Sequence, residues 1–457
     1  MSYNGIIHNT HNCPLCLYNS AITIAILKVL LIIISIIFLS LSLYSISYIL
    51  SGNNFTTLAQ QDLETIKYRD LVVDLGDGVK TNAQLTFPAV GNGPYPGVLL
   101  VHGSGAMDMN TTLGIVRIDN ETGTKIYPPA RPFFQIAEYL SDRGFVVLRY
   151  DKRGIGENMT IVDSNVWGNL TFNDLKHDAE KALNLLIQQP EVDPKRISII
   201  GHSEGTIITP RVAIDNPDKV KNIILMGTAA QNLVRDILRF QVVDLPLEYA
   251  MKVLDRNHTG LISIEQIAKD PLLSSYLEST ILHTNNNTKT IIKNQTEKFD
   301  TSSQISIQKQ IRPALIKYYE NETALNLSKC NDIRGCPLWF RSEFNLIPNL
   351  SIIGNISKST GVLILNGEND SQTTVQQAFL LQQKLTDVNH PDHTLITYPD
   401  LGHVFYPSSQ WQIGLGPIPQ YVLRDLYSWL ESHSGFTPLM TTSSSTSSLP
   451  NTTKINN

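Results

Sequence analysis

Two hydrophobic patterns alternate along the chain. Short continuous apolar runs occur at Gly97–His102, Phe145–Tyr150, Arg196–Gly201, Val220–Met226 and Gly361–Leu365. Runs of this length without polar alternation predict strands buried on both faces. Thr394–Tyr398 predicts a last strand, and Tyr68–Leu75 with Ala83–Pro88 predicts two antiparallel opening strands. Between them, Pro132–Arg143, Asn173–Gln188 and Val422–Leu430 carry apolar residues at helical spacing. Strands alternating with helices predict an α/β fold with a mostly parallel sheet covered on both faces. The alternation breaks between about Thr228 and Ser359, a helical, polar stretch rich in Asn and Gln. That is too long for a loop and predicts an inserted, mainly helical cap.

A different pattern stands near the N-terminus. Residues Val29–Leu50 form an uncharged apolar run, long enough to span a bilayer core of about 20 residues. Lys28 precedes the run, and Asp62 and Glu64 follow it, which predicts a cytoplasmic N-terminus with the bulk of the chain outside. A cleaved signal peptide is the rival reading; the long leader and the length of the run favour an uncleaved anchor. Asn-X-Ser/Thr sequons begin at Asn54, Asn110, Asn120, Asn158, Asn169, Asn257, Asn286, Asn294, Asn321, Asn326, Asn349, Asn355, Asn369 and Asn451. Their density agrees with an outer, glycosylated surface. The expected organisation is a leader at 1–28, a transmembrane helix at 29–50 and a linker at 51–66. Core segments follow at 67–227 and 360–434, interrupted by the cap at 228–359 and followed by a disordered tail at 435–457.

Composition narrows the function. The net charge is −5 and the pI about 6.1, which gives no reason to expect nucleic acid as a partner. There is no zinc-type Cys/His spacing and no Walker-type phosphate loop. Cys13 and Cys16 read as reduced thiols in the leader, whereas Cys330 and Cys336, on the outer side, are expected to close a small loop as a disulfide.

The chemistry centres on Gly201-His202-Ser203-Glu204-Gly205. A strand runs straight into this G-x-S-x-G and a helical segment follows it, the context a nucleophile elbow requires. A serine hydroxyl needs a base to take its proton. His403 follows the last strand and is the expected base. Asp370, just after the strand that ends at Leu365, is the expected acid that orients the imidazole, with Glu368 as alternate. The oxyanion should be met by the backbone N–H of Glu204 and by that of Ser104 in the glycine-rich turn after the third strand. Asn369 begins a sequon beside the acid and is expected to be unmodified. Asp151, Lys152 and Arg153 read as a structural charged turn.

These motifs resemble those of α/β hydrolases of the esterase branch that carries GHSEG, related to dienelactone hydrolases and prolyl-oligopeptidase-like catalytic domains. The resemblance rests on VLLVHGSGAMD (Val98–Asp108), VVLRYDKRGIGE (Val146–Glu157), TFNDLKHDAEKAL (Thr171–Leu183), RISIIGHSEG (Arg196–Gly205), LILNGENDSQTTV (Leu363–Val375) and YPDLGHVF (Tyr398–Phe405), in that order. It implies an α/β-hydrolase fold, no required cofactor, and hydrolysis of a small-molecule carboxylic ester through Ser203, Asp370 and His403. A peptidase or amidase using the same residues is the alternative, and a non-catalytic binding module the remote one. Two departures stand out: Thr206 replaces the usual third glycine, and the loop from Met107 to Arg131 is long.

The insertion holds one more pattern. Asp255, Asn257, Thr259, Leu261, Ser263 and Gln266 fall at the ligand positions of an EF-hand loop, with Gly260 at the sixth position. Thr259 and Gln266 stand where acidic ligands are expected, so structural Ca²⁺ and a metal-free helix–loop–helix both remain open.

Overall fold

The computed structural model describes residues 65–113, 130–270, 273, 304–323, 336–408 and 416–435. The expected leader, anchor and tail lie outside the described residues. So do Cys13, Cys16 and Cys330, and the sequons at Asn54, Asn120, Asn286, Asn294, Asn326 and Asn451. Among the described residues no helix is long and apolar enough to cross a membrane.

Eight strands form one sheet: β1 (Ile66–Gly76), β2 (Val79–Pro88), β3 (Tyr95–Val101), β4 (Val146–Tyr150), β5 (Val192–His202), β6 (Val220–Met226), β7 (Gly361–Gly367) and β8 (His393–Tyr398). Their order is β1-β2-β4-β3-β5-β6-β7-β8. β2 runs antiparallel to both neighbours, and every other pairing is parallel. β3, β4 and β7 are buried along their whole length, as their mainly apolar runs predict, with Arg149 and Asn366 buried among them.

Because successive strand residues point to opposite faces, one strand feeds two cores. Leu99 and Val101 pack on one face with α2 (Phe172–Ile187), α3 (Gly205–Asp215) and α6 (Val375–Asp387). Val98 and Leu100 pack on the other with α1 (Pro132–Ser141) and α7 (Gln420–His433). Thr171 caps α2 by accepting from Asp174 N, while the Asp174 carboxylate accepts from Thr171 N. This fixes where the chain enters the helix that covers β3.

The chain leaves the sheet after β6 and returns at β7. The intervening segment has its own core, in which Val243, Ala250, Ile262, Ile307 and Leu315 are buried. It includes α4 (Arg312–Glu322) and α5 (Pro337–Phe344). Cys336, which precedes α5, is buried and disulfide-bonded. Its expected partner, Cys330, lies outside the described residues.

The EF-hand-like loop keeps the shape of that motif without its ligand set. Leu261–Ser263 pairs antiparallel with Gln304–Ser306, Ile262 opposite Ile305. The Asp255 carboxylate accepts from Thr259 N, Thr259 Oγ1 and Gly260 N at 2.6–3.0 Å. Gln266 closes a capping box with Ser263 and donates to Leu254 O. A calcium ion takes six to eight oxygens. Here the one carboxylate at a ligand position, Asp255, serves the loop's own N–H groups, Glu265 pairs with Lys269, and among the described residues no three His, Cys, Asp or Glu side chains converge as a metal site. The donors present do not fit the ion.

Candidate active site

The turn that carries Ser203, the expected nucleophile, joins β5 to α3. Ser203 has φ 55°, a conformation that side chains rarely adopt. The turn is held on both sides by glycine. A Cβ on Gly201 would lie 2.2 Å from Gly205 O, and one on Gly205 would lie 2.2 Å from Val101 O. Ser203 N donates to Met226 O at 2.9 Å, which ties the turn to the end of β6. The result is a strained serine at the carboxyl end of the sheet.

Asp370 and His403 meet there from two other strand ends. Asp370 Oδ2 lies 2.8 Å from His403 Nδ1. Its Oδ1 accepts from Gln372 N and Thr373 N, and Thr373 Oγ1 donates to Oδ2. The carboxylate is thus fully held, with its charge turned toward the imidazole. Glu368, the alternate acid, instead accepts from the Thr397 hydroxyl. Asn369 donates its amide to Ser408 O at 2.9 Å, so its side chain is already engaged.

Two further buried histidines are uncharged: His202, which packs against His403, and His102, which packs against Tyr150 and Phe133. His202 Nε2 donates to His403 O at 3.0 Å, and the two rings lie 4.8 Å apart. His102 Nε2 donates to Tyr150 O. Burial, aided by the neighbouring His403 and Lys152 respectively, pushes the pKa of each down to about 3.

The turn after β3 runs beside Ser203: a Cβ on Gly103 would come within 3.0 Å of the Ser203 Cβ. Among the described residues, no backbone carbonyl accepts from the N–H of Ser104 or of Glu204. Lys152, read from sequence as part of a structural turn, reaches this place. Its ammonium donates to Gly103 O at 2.7 Å, Gly105 O at 3.1 Å and Glu204 Oε2 at 2.7 Å. Its neighbours fit the structural reading: Arg153 pairs with Asp178, and Asp151 accepts from Met109 N. Glu204 Oε1 accepts in addition from the indole N–H of Trp339 at 2.5 Å.

A cavity of about 260 Å³ opens on Ser203 and Ser104. Its outer wall comes from the inserted segment and includes Leu233, Val242, Tyr318, Tyr319, Trp339 and Phe340. Among the described residues no charged side chain lines it. The insertion's share of this wall was not readable from sequence, because nothing local to Trp339 or Tyr319 points to Ser203.

Residues 130–307 match the family model described as serine aminopeptidase, S33, and residues 314–437 that of the prolyl oligopeptidase family. Esterase EstD of Thermotoga maritima is 31% identical over 172 residues, which are 38% of this chain and 35% of that one. The matched region is thus about a third of EstD's length. A putative hydrolase of Bacillus subtilis, YtaP, is 23% identical over 228 residues, covering 46% of this chain and 73% of that one. A thermostable carboxyl esterase from Bacillus coagulans has 17% identity and a TM-score of 0.47, over 80% of this chain and 99% of that one. With its strand order and the strained turn at Ser203, the chain has the α/β-hydrolase fold, and its two matched stretches are similar to the serine aminopeptidase S33 and prolyl oligopeptidase families.

Proposed function

We propose that the chain is a serine esterase that hydrolyses small, uncharged carboxylic esters through an acyl-enzyme on Ser203. One observation carries the reading: the strained serine opens on an uncharged, aromatic-walled cavity beside a hydrogen-bonded Asp370–His403 pair. In the first step Ser203 Oγ attacks the ester carbonyl carbon while His403 takes the hydroxyl proton. Negative charge develops on the carbonyl oxygen and is met by the N–H groups of Ser104 and Glu204. The tetrahedral intermediate collapses, and the alcohol leaves with the proton from His403. Water then attacks the acyl-enzyme by the same route in reverse, releasing the acid. Asp370 holds the imidazole in the tautomer that faces Ser203 and stabilises its charged form.

The test is hydrolysis of short p-nitrophenyl esters by the native chain and by Ser203→Ala. Activity should vanish in the variant; undiminished turnover would sink the reading.

The peptidase reading shares the same residues, so it is weighed on the cavity. An aminopeptidase must hold its substrate's α-ammonium, which calls for a carboxylate. Among the described residues the cavity lining contains none. A panel of aminoacyl amides against acyl esters separates the two, and the ester side should dominate.

The location is part of the same proposal. The apolar run at 29–50 and the sequon density support a membrane-anchored chain with its catalytic part outside the cytoplasm. Asn158, Asn169, Asn257 and Asn355 are exposed and suited to carry glycans. Asn349 is not: it is 1% exposed and donates its amide to Thr206 O and Ala229 O. Carbonate extraction and protease treatment of intact cells test the anchor. A catalytic part sheltered from protease would argue against it.

A further inference from the structure

We infer that Lys152 is a positioning residue for the oxyanion hole, and that Trp339 of the inserted segment completes its brace. This rests on the serine-hydrolase reading of Ser203.

The first ground is peptide geometry. In a trans peptide the C=O of one residue and the N–H of the next point in opposite directions. The carbonyl of Gly103 and the N–H of Ser104 belong to one such unit. Lys152 Nζ holds that carbonyl at 2.7 Å. The Ser104 N–H is therefore turned away from Lys152, on a residue that borders the Ser203 cavity. The grip on Gly105 O fixes the next turn of the same loop, where Gly105 has φ 88°. Two anchored carbonyls leave the intervening residue little freedom to flip.

The second ground is the third contact of the same ammonium. Lys152 Nζ meets Glu204 Oε2 at 2.7 Å, with both side chains at 2% exposure or less. Glu204 supplies the other expected N–H of the hole. One buried cation thus links the two segments whose N–H groups must converge. Its three donors have three acceptors, so it has no second arrangement to adopt.

The third ground is what such a pair contributes. A buried ion pair often adds little net stability compared with apolar packing. A costly arrangement of this kind is understandable where a fixed geometry is required. Trp339 adds the link to the insertion. Its indole N–H closes the remaining oxygen of Glu204, and its ring forms part of the cavity wall. The same side chain therefore touches the space for substrate and the residue that carries the oxyanion donor.

Single removal of Lys152 strands a buried Glu204 charge and endangers folding. The test therefore uses the neutral double variant Lys152→Met/Glu204→Gln, and separately Trp339→Phe, which keeps an aromatic wall and deletes the N–H. Thermal melts first establish that each is folded. The double variant should lose on the order of 100-fold in kcat, as expected for a misplaced donor, with KM changed by less than about threefold. Trp339→Phe should lose about tenfold in kcat with the same insensitivity of KM. Inhibition by an aryl trifluoromethyl ketone, whose serine adduct carries an oxyanion, should weaken in parallel with kcat/KM. A fold-only role would leave kcat and ketone affinity intact in folded variants, and that result overturns the brace. Failure of the native chain to react with a fluorophosphonate would instead overturn the serine-hydrolase reading and the brace with it. If the double variant does not fold, undiminished kcat in Trp339→Phe overturns the part assigned to the insertion, and undiminished kcat in Lys152→Arg with its guanidinium off Gly103 O overturns the part assigned to Lys152.

Discussion

The Thr206 hydroxyl donates to the Ser203 carbonyl at 2.6 Å and accepts from Ala229 N at 3.0 Å. A threonine in place of the usual glycine therefore ties the Ser203 turn to the first residues of the inserted segment. Thr206→Val keeps the shape and removes both bonds. It leaves Ala229 N buried without a partner, which should cost about 1–3 kcal/mol. Urea unfolding measures this as a lower midpoint at unchanged slope. A midpoint equal to that of the native chain would show that the bonds contribute nothing.

Asp370 and Glu368 lie two residues apart, yet only Asp370 faces His403. Asp370→Asn should keep the fold and leave the imidazole in the wrong tautomer, lowering kcat on the order of 10⁴-fold. Glu368→Gln touches only the Thr397 hydroxyl and should leave kcat within about twofold. Ester kinetics on the two variants decide the assignment. A larger loss in Glu368→Gln would transfer the acid's role to Glu368.

Much of this site can be read along the chain, and the reasons are local. Ser203, Asp370 and His403 each follow a strand whose apolar run ends abruptly, so each is announced by its own neighbourhood. α6 is harder to see. Its buried Ala378, Leu381 and Leu385 are diluted by glutamines, and no helix was expected there. β5 begins at Val192 rather than Arg196, because its polar first residues hide the pairing of Tyr95 with Val192. Trp339 and Lys152 act across the fold. Trp339 is 135 residues from Glu204, inside a polar segment with no periodicity that points to the sheet. Lys152 shares a charged tripeptide with Asp151 and Arg153, and only the course of the loop after β3 singles it out.

The buried titratable groups predict the shape of acid unfolding. His102 and His202 are pushed from 6.5 down to about 3 in the folded chain, so the unfolded chain binds more protons below pH 6.5. Their contribution to stability is lost as pH falls through that window. Asp151 is pushed up to about 6 by burial. Burial also raises Asp178, and raises Glu343 well above the carboxylate range. These acids keep protons that the unfolded chain releases, so their contribution grows as pH falls from about 6 toward 4. The two sets oppose each other above pH 4. Below it these three carboxyls are protonated in both states and no longer offset the two histidines, whose slope is about 2.7 kcal/mol per pH unit, and Glu191, held below the usual carboxylate range by Arg69, adds to the loss. Urea midpoints should therefore change little from pH 6 to 4.5 and fall steeply below pH 4. A midpoint that declines evenly from pH 6.5 would mean that the buried carboxyls are ionised in the folded chain.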